Sequence, residues 1–126
     1  MLSTEKLIGF TATTRPREAK EFYEKTLGLR LIEDTPYALV FAAGATTIRV
    51  QKVQVVMVSG YTSLGWQVGN IATTVQELSE RGVEFQRFEG LPQDEAGIWR
   101  TPDGSGVAWF RDPDGNTLSI TEFAAA

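Results

Sequence analysis

The sequence contains neither cysteine nor histidine. Without cysteine there is no disulfide, no thiolate nucleophile and no cysteine-ligated zinc or iron–sulfur cluster. Without histidine the chain lacks the usual general base near neutral pH and the commonest metal ligand. A metal would have to be held by oxygen donors, and a proton carried by Asp, Glu, Lys or Tyr. Basic residues are also scarce: 12 Lys and Arg stand against 16 Asp and Glu, a formal charge of −4. No run of cations forms a stripe that follows phosphates, so neither nucleic acid nor an anionic membrane is an expected partner. The opening residues, Met1 to Leu7, include Thr4, Glu5 and Lys6 and no long apolar stretch. With neither a secretory core nor a spanning segment, a cytoplasmic location is expected.

What is present fits one domain over residues 1–126, with 42% hydrophobic residues to build a core. Leu7 to Thr14 is β-prone and stops at Arg15-Pro16, where proline suits the first turn of a helix. Ala19, Phe22, Tyr23 and Leu27 then fall on one helical face, with the oppositely charged pairs Arg17/Glu21, Lys20/Glu24 and Glu21/Lys25 outside and Gly28 as the stop. Strands are expected over Leu29 to Thr35, Tyr37 to Ala43 and Thr46 to Val53, and Gln54 to Tyr61 reads as a connection or equally as a continuation of the preceding strand. The order then repeats. Ser63 to Asn70 alternates like a strand, Ala72 to Arg81 carries Val75 and Leu78 at helical spacing, and Gly82 ends it. Val83 to Phe88, Gly97 to Thr101, Gly106 to Arg111 and Asn116 to Phe123 are further strand candidates. Pro102-Asp103-Gly104 and Pro113-Asp114-Gly115 supply turns between the last three. The result is an α+β chain of two βαβββ units, at about residues 7–53 and 63–123.

Phe22-Tyr23 with Leu27-Gly28-Leu29, Arg81-Gly82-Val83, and above all Phe110-Arg111-Asp112-Pro113-Asp114-Gly115-Asn116 resemble the vicinal oxygen chelate superfamily of glyoxalases, bleomycin resistance proteins and extradiol dioxygenases. The likeness spans about Leu7 to Glu122. It implies tandem βαβββ units forming a curved mixed sheet, a homodimer, and a ligand-binding cup. Phe22 and Tyr23 remain packing residues, and Asp112 and Asp114 turn-formers.

Enzymes of that family hold a metal at four strand positions, which the resemblance carries onto Ile8, Arg49, Ser63 and Ser119. An alkyl group, a permanent cation and two hydroxyls do not suit a divalent ion, so no metal and no cofactor are expected. Strand alternation turns Ile48, Val50, Leu64, Trp66, Val68, Leu118 and Ile120 toward the helices. Thr47, Arg49, Gln51, Ser63, Gly65, Gln67, Thr117, Ser119 and Thr121 then fall on the other face. Ile8, Phe10 and Ala12 add an apolar wall. Most of the aromatic residues read as core, while Tyr37, Tyr61 and Trp99 sit where they can line a pocket for a flat ligand. Arg49 offers a planar cationic fork to a carboxylate, enolate or phenolate. The expected function is metal-free binding of a small planar or anionic molecule. The alternative is a lyase, isomerase or dioxygenase, using either an unrecognised metal site or Arg49 as electrophile with Glu33, Asp34, Glu122, Tyr37 or Tyr61 as proton carrier.

Overall fold

Pro16 has no amide hydrogen to lose and a φ already set for a helix. In the computed structural model, which describes residues 1–125, strand β1 (Ile8–Thr13) is followed by helix α1, starting at that proline (Pro16–Glu21). The chain then widens into a π-helical turn over Phe22–Thr26, where the Leu27 amide donates to the Phe22 carbonyl at 2.9 Å. Gly28, at φ 76°, closes it in the left-handed conformation that lets the Leu29 amide reach the Tyr23 carbonyl at 3.0 Å. The turn seats Tyr23 with no exposed surface, its ring 5.6 Å from that of Phe41.

Three strands complete the first compact unit (Met1–Met57): β2 (Arg30–Asp34), β3 (Ala38–Ala43) and β4 (Thr46–Lys52). The sheet order is β1-β4-β3-β2, with β1 parallel to β4 and the other pairs antiparallel. Leu39, Phe41, Ile48 and Val50 are buried on one face with Ala19 and Tyr23. None of the expected charge pairs along the helix forms among the described residues. Arg15 instead meets Glu18 at 3.0 Å, and Lys20 and Lys52 meet Asp34 of β2 at 3.7 and 2.5 Å. The π turn shifts residues 24 and 25 out of α-helical register with 20 and 21, which accounts for two of the three pairs; nothing in the structure explains the absence of Arg17/Glu21.

The second unit, from Val58 onward, repeats the order with β5 (Leu64–Gln67), α2 (Ile71–Glu80), β6 (Trp99–Arg100), β7 (Gly106–Arg111) and β8 (Thr117–Glu122). Its sheet runs β5-β8-β7-β6, with β5 parallel to β8. Val75 and Leu78 of α2 are buried, as are Ala108, Phe110, Leu118 and Ile120 of the sheet. Both units are therefore βαβββ, and the chain is α+β.

Val83 to Phe88 is not a strand. Only the Gln86 amide reaches the sheet, donating to the Trp109 carbonyl at 2.8 Å. The Gln93 side chain satisfies the backbone around it: its amide donates to the carbonyls of Gln86 and Gly97, both at 2.8 Å, and its oxygen accepts from Phe88 at 2.7 Å. A side chain thus replaces a ladder. Among the described residues no helix is long and apolar enough to cross a membrane.

Candidate functional site

In the second unit the sheet face away from α2 is set by register. Trp109 lies across from Ser119, Arg111 from Thr117, and Val107 from both Thr121 and Trp99. On the other side of β8, Gly65 lies across from Ser119 and Gln67 from Thr121. Residues paired across strands share a face, so Trp99, Trp109, Arg111, Gln67 and three hydroxyl residues are presented together. Trp99 and Trp109 stack with centroids 6.2 Å apart at 28°, and Phe88 meets Trp109 edge-on at 5.3 Å and 85°. Beside them is a cavity of about 330 Å³, walled by Phe88, Leu91 and Trp109, with Tyr61 at one side and Thr117 below.

Local bonding builds the remaining wall. Ser63, just ahead of β5, donates from its amide and its hydroxyl to the Thr117 carbonyl at 2.8 and 3.1 Å, and the Thr117 hydroxyl donates to the Ser59 carbonyl at 3.3 Å. These bonds hold residues 59–63 against β8. Gly65 is bare for a reason: a Cβ there would lie 3.0 Å from the Ser119 hydroxyl oxygen.

A larger cavity of about 470 Å³ opens on the α2 side, near Gln76, Ser79, Phe85 and Arg87. Arg87 is committed there to the Glu95 carbonyl at 2.6 Å, and Phe85 is the one ring in its wall. It offers a planar ligand less than the tryptophan face does.

In the first unit Ile8, Phe10, Arg49 and Gln51 share the face opposite the buried core, where Phe10 and Val40 flank Arg49 in the neighbouring strands. Ile8 and Phe10 are half exposed, and the Arg49 guanidinium has no ion-pair partner among the described residues. Tyr37 is highly exposed in the turn before β3. Of the other expected residues, the structure groups Tyr61, Trp99, Gln67 and Ser119 with the tryptophan face, whereas the hydroxyl of Ser63 is turned onto the backbone. Phe88, Trp109 and Arg111 escaped sequence reasoning as site residues. Val107, Ala108, Trp109 and Phe110 are apolar in both phases of the alternation, so only pairing shows which of them face out.

Two expected proton carriers are otherwise engaged. Glu122 accepts from the Ile71 amide at 2.8 Å, so its carboxylate caps α2. The hydrogen bond from Lys52, with the charges of Lys52 and Lys20, holds the Asp34 carboxyl below the usual carboxylate range.

The four positions onto which the resemblance carries the family's metal ligands have side chains that do not suit a metal. Ile8 and Arg49 carry no electron-pair donor, Ser63 and Ser119 offer only neutral hydroxyls, and no cluster of three or more His, Cys, Asp or Glu occurs among the described residues.

Comparison with known proteins agrees with the architecture. The family model described as the Glyoxalase/Bleomycin resistance protein/Dioxygenase superfamily matches residues 10–120. Among curated proteins none matches the chain in sequence. A solved glyoxalase family protein from Bacillus anthracis is similar at 20% identity and TM-score 0.75, covering 96% of each chain. TnmS3, an antibiotic binding protein from Streptomyces sp. CB03234, is similar at 21% identity and TM-score 0.73, covering 98% of this chain and 99% of its own. Lactoylglutathione lyase from Agrobacterium tumefaciens is similar at 17% identity and TM-score 0.70, covering 94% and 93%. At such identities the structural likenesses establish the fold alone. With the family model spanning all but the ends of the chain, the protein belongs to the glyoxalase/bleomycin resistance protein/dioxygenase superfamily.

Proposed function

We propose that this protein binds a small planar organic molecule, without a metal ion, on the tryptophan face of its second unit. The observation that carries the reading is the half-buried Trp109, held by Trp99 and Phe88 beside a cavity of about 330 Å³. Aromatic walls with a few polar groups at the edge are what a flat ligand needs: stacking area from the rings and orientation from the polar groups. TnmS3, an antibiotic binding protein, shares the fold, which supports binding as one of its uses. The donor sets at Ile8, Arg49, Ser63 and Ser119 support the absence of a metal requirement.

A thermal-shift screen of planar acids and phenols, run on protein treated with chelator, tests this. Stabilisation that persists after chelation is the expected result. Stabilisation that appears only when a divalent metal is restored, with one metal per chain by elemental analysis, overturns the metal-free reading.

The second reading is metal-free catalysis by Arg49, a lyase or isomerase step in which the guanidinium stabilises developing negative charge. Its unpaired state between Phe10 and Val40 favours that role. The engagement of Asp34 leaves Glu33 and Tyr37 as the proton carriers in the same unit as Arg49. The proposal includes a two-fold homodimer burying more than ~1,000 Å², supported by the exposure of Leu7, Ile8 and Phe10 along the edge strand β1. Light scattering that gives one chain per particle at micromolar concentration contradicts it.

A further inference from the structure

The strand that carries Trp109 ends in a cation. Arg111 lies two residues along β7, roughly 7 Å from Trp109 between Cα atoms, on the same face, and directly across from Thr117, which lines the cavity. An arginine side chain is long enough to span such a distance toward the edge of a ring stacked on Trp109.

The nearest carboxylate in sequence does not neutralise it. Asp112 is buried in the turn: one oxygen accepts from the Asp114 and Asn116 amides at 3.0 and 2.9 Å, the other from the Asn116 side-chain amide at 2.8 Å. Among the described residues Arg111 is in no ion pair, and its side chain is exposed. The chain as a whole carries a formal charge of −4, a field that repels anions, so an anionic ligand would depend on a local cation. Here an arginine outside any ion pair among the described residues shares a strand face with Trp109 and stands across from Thr117, which lines the aromatic cavity; a planar fork so placed can pair two parallel N–H donors with a carboxylate while the ring system is stacked.

We infer that Arg111 is a specificity-determining residue and that the ligand class is the planar aromatic carboxylates, the ring against Trp109 and the carboxylate on the Arg111 guanidinium. This rests on the tryptophan face being the binding site, and the experiment separates the two claims. The probes are naphthoate and its neutral isostere naphthamide, titrated calorimetrically into the wild type and into Arg111→Met, Arg111→Lys and Trp109→Leu.

Wild type should prefer naphthoate by roughly tenfold, the scale of a rim-exposed charged hydrogen bond. Arg111→Met should erase the preference, weakening naphthoate by roughly tenfold more than naphthamide, whose amide oxygen makes only a neutral-acceptor bond to the guanidinium. Arg111→Lys should retain part of it, because a point charge replaces the fork. Trp109→Leu should weaken both probes. Equal affinity of wild type for both probes, or a preference that survives in Arg111→Met, overturns the role of Arg111 while the loss in Trp109→Leu upholds the site. Affinities unmoved by Trp109→Leu, or no binding of either probe, overturn the site and the inference together.

Discussion

Trp109 stacks on Trp99 with ring centroids 6.2 Å apart and planes at 28°, on the face of its sheet away from α2. Because the stack is half exposed, Trp109 contributes less to the core than to the wall of the cavity. Trp109→Leu should therefore fold, with stability lowered by about 1–3 kcal/mol through the lost ring contacts with Trp99 and Phe88. Urea denaturation checks this. A loss large enough to prevent folding would make Trp109 a core residue.

Gly65 and Ser119 form a pair in which one side chain occupies the place of another. Gly65→Ala should be neutral or destabilising by up to about 1 kcal/mol in the wild type, since the serine hydroxyl must give way. In a Ser119→Ala background the same change should be stabilising, because alanine fits a strand better than glycine and the remaining contacts, at 3.5 and 3.6 Å, are ordinary. A double-mutant cycle measures the coupling, about 0.5–1 kcal/mol. Strict additivity would contradict the packing described.

Glu122 serves α2, which already has the Asn70 side chain accepting from the Thr73 amide at 3.0 Å. Glu122→Ala should lower stability by about 1 kcal/mol and Glu122→Gln by less, since glutamine keeps an acceptor but loses the charge that suits the helix start. Neither should alter the affinity for naphthoate. A changed affinity with unchanged stability would return Glu122 to the ligand site.

Much of the fold was legible because the signals were local. Pro16 and Gly28 bracket the first helical segment, and Val75 and Leu78 face the core at the expected spacing. The Asp112 to Asn116 turn closes on its own aspartate. The errors arose where a distant partner decided the outcome. Val83 to Phe88 has the composition of a strand, but the Gln93 side chain takes the Gln86 carbonyl and the Phe88 amide. Lys20 is drawn to Asp34, fourteen or so residues further on and in another element, rather than along its helix. The site was less legible than the fold. Arg49 stands out as a charge between Ile48 and Val50, whereas Trp109 and Arg111 acquire meaning only once β7 is paired with β8 and Phe88 lies against the indole.

The three tryptophans give the most direct measurement. Trp66 pairs with buried Ile120 on the helix side of its sheet, while Trp99 and Trp109 share the opposite face. Each indole N–H has its own resonance in a nitrogen-15 correlation spectrum. On titration of chelator-treated protein with naphthoate, the Trp109 and Trp99 resonances should move together to saturation and that of Trp66 should stay in place. Saturable binding that leaves Trp109 unmoved, or that moves Trp66 alone, would contradict the assignment of the tryptophan face as the binding site.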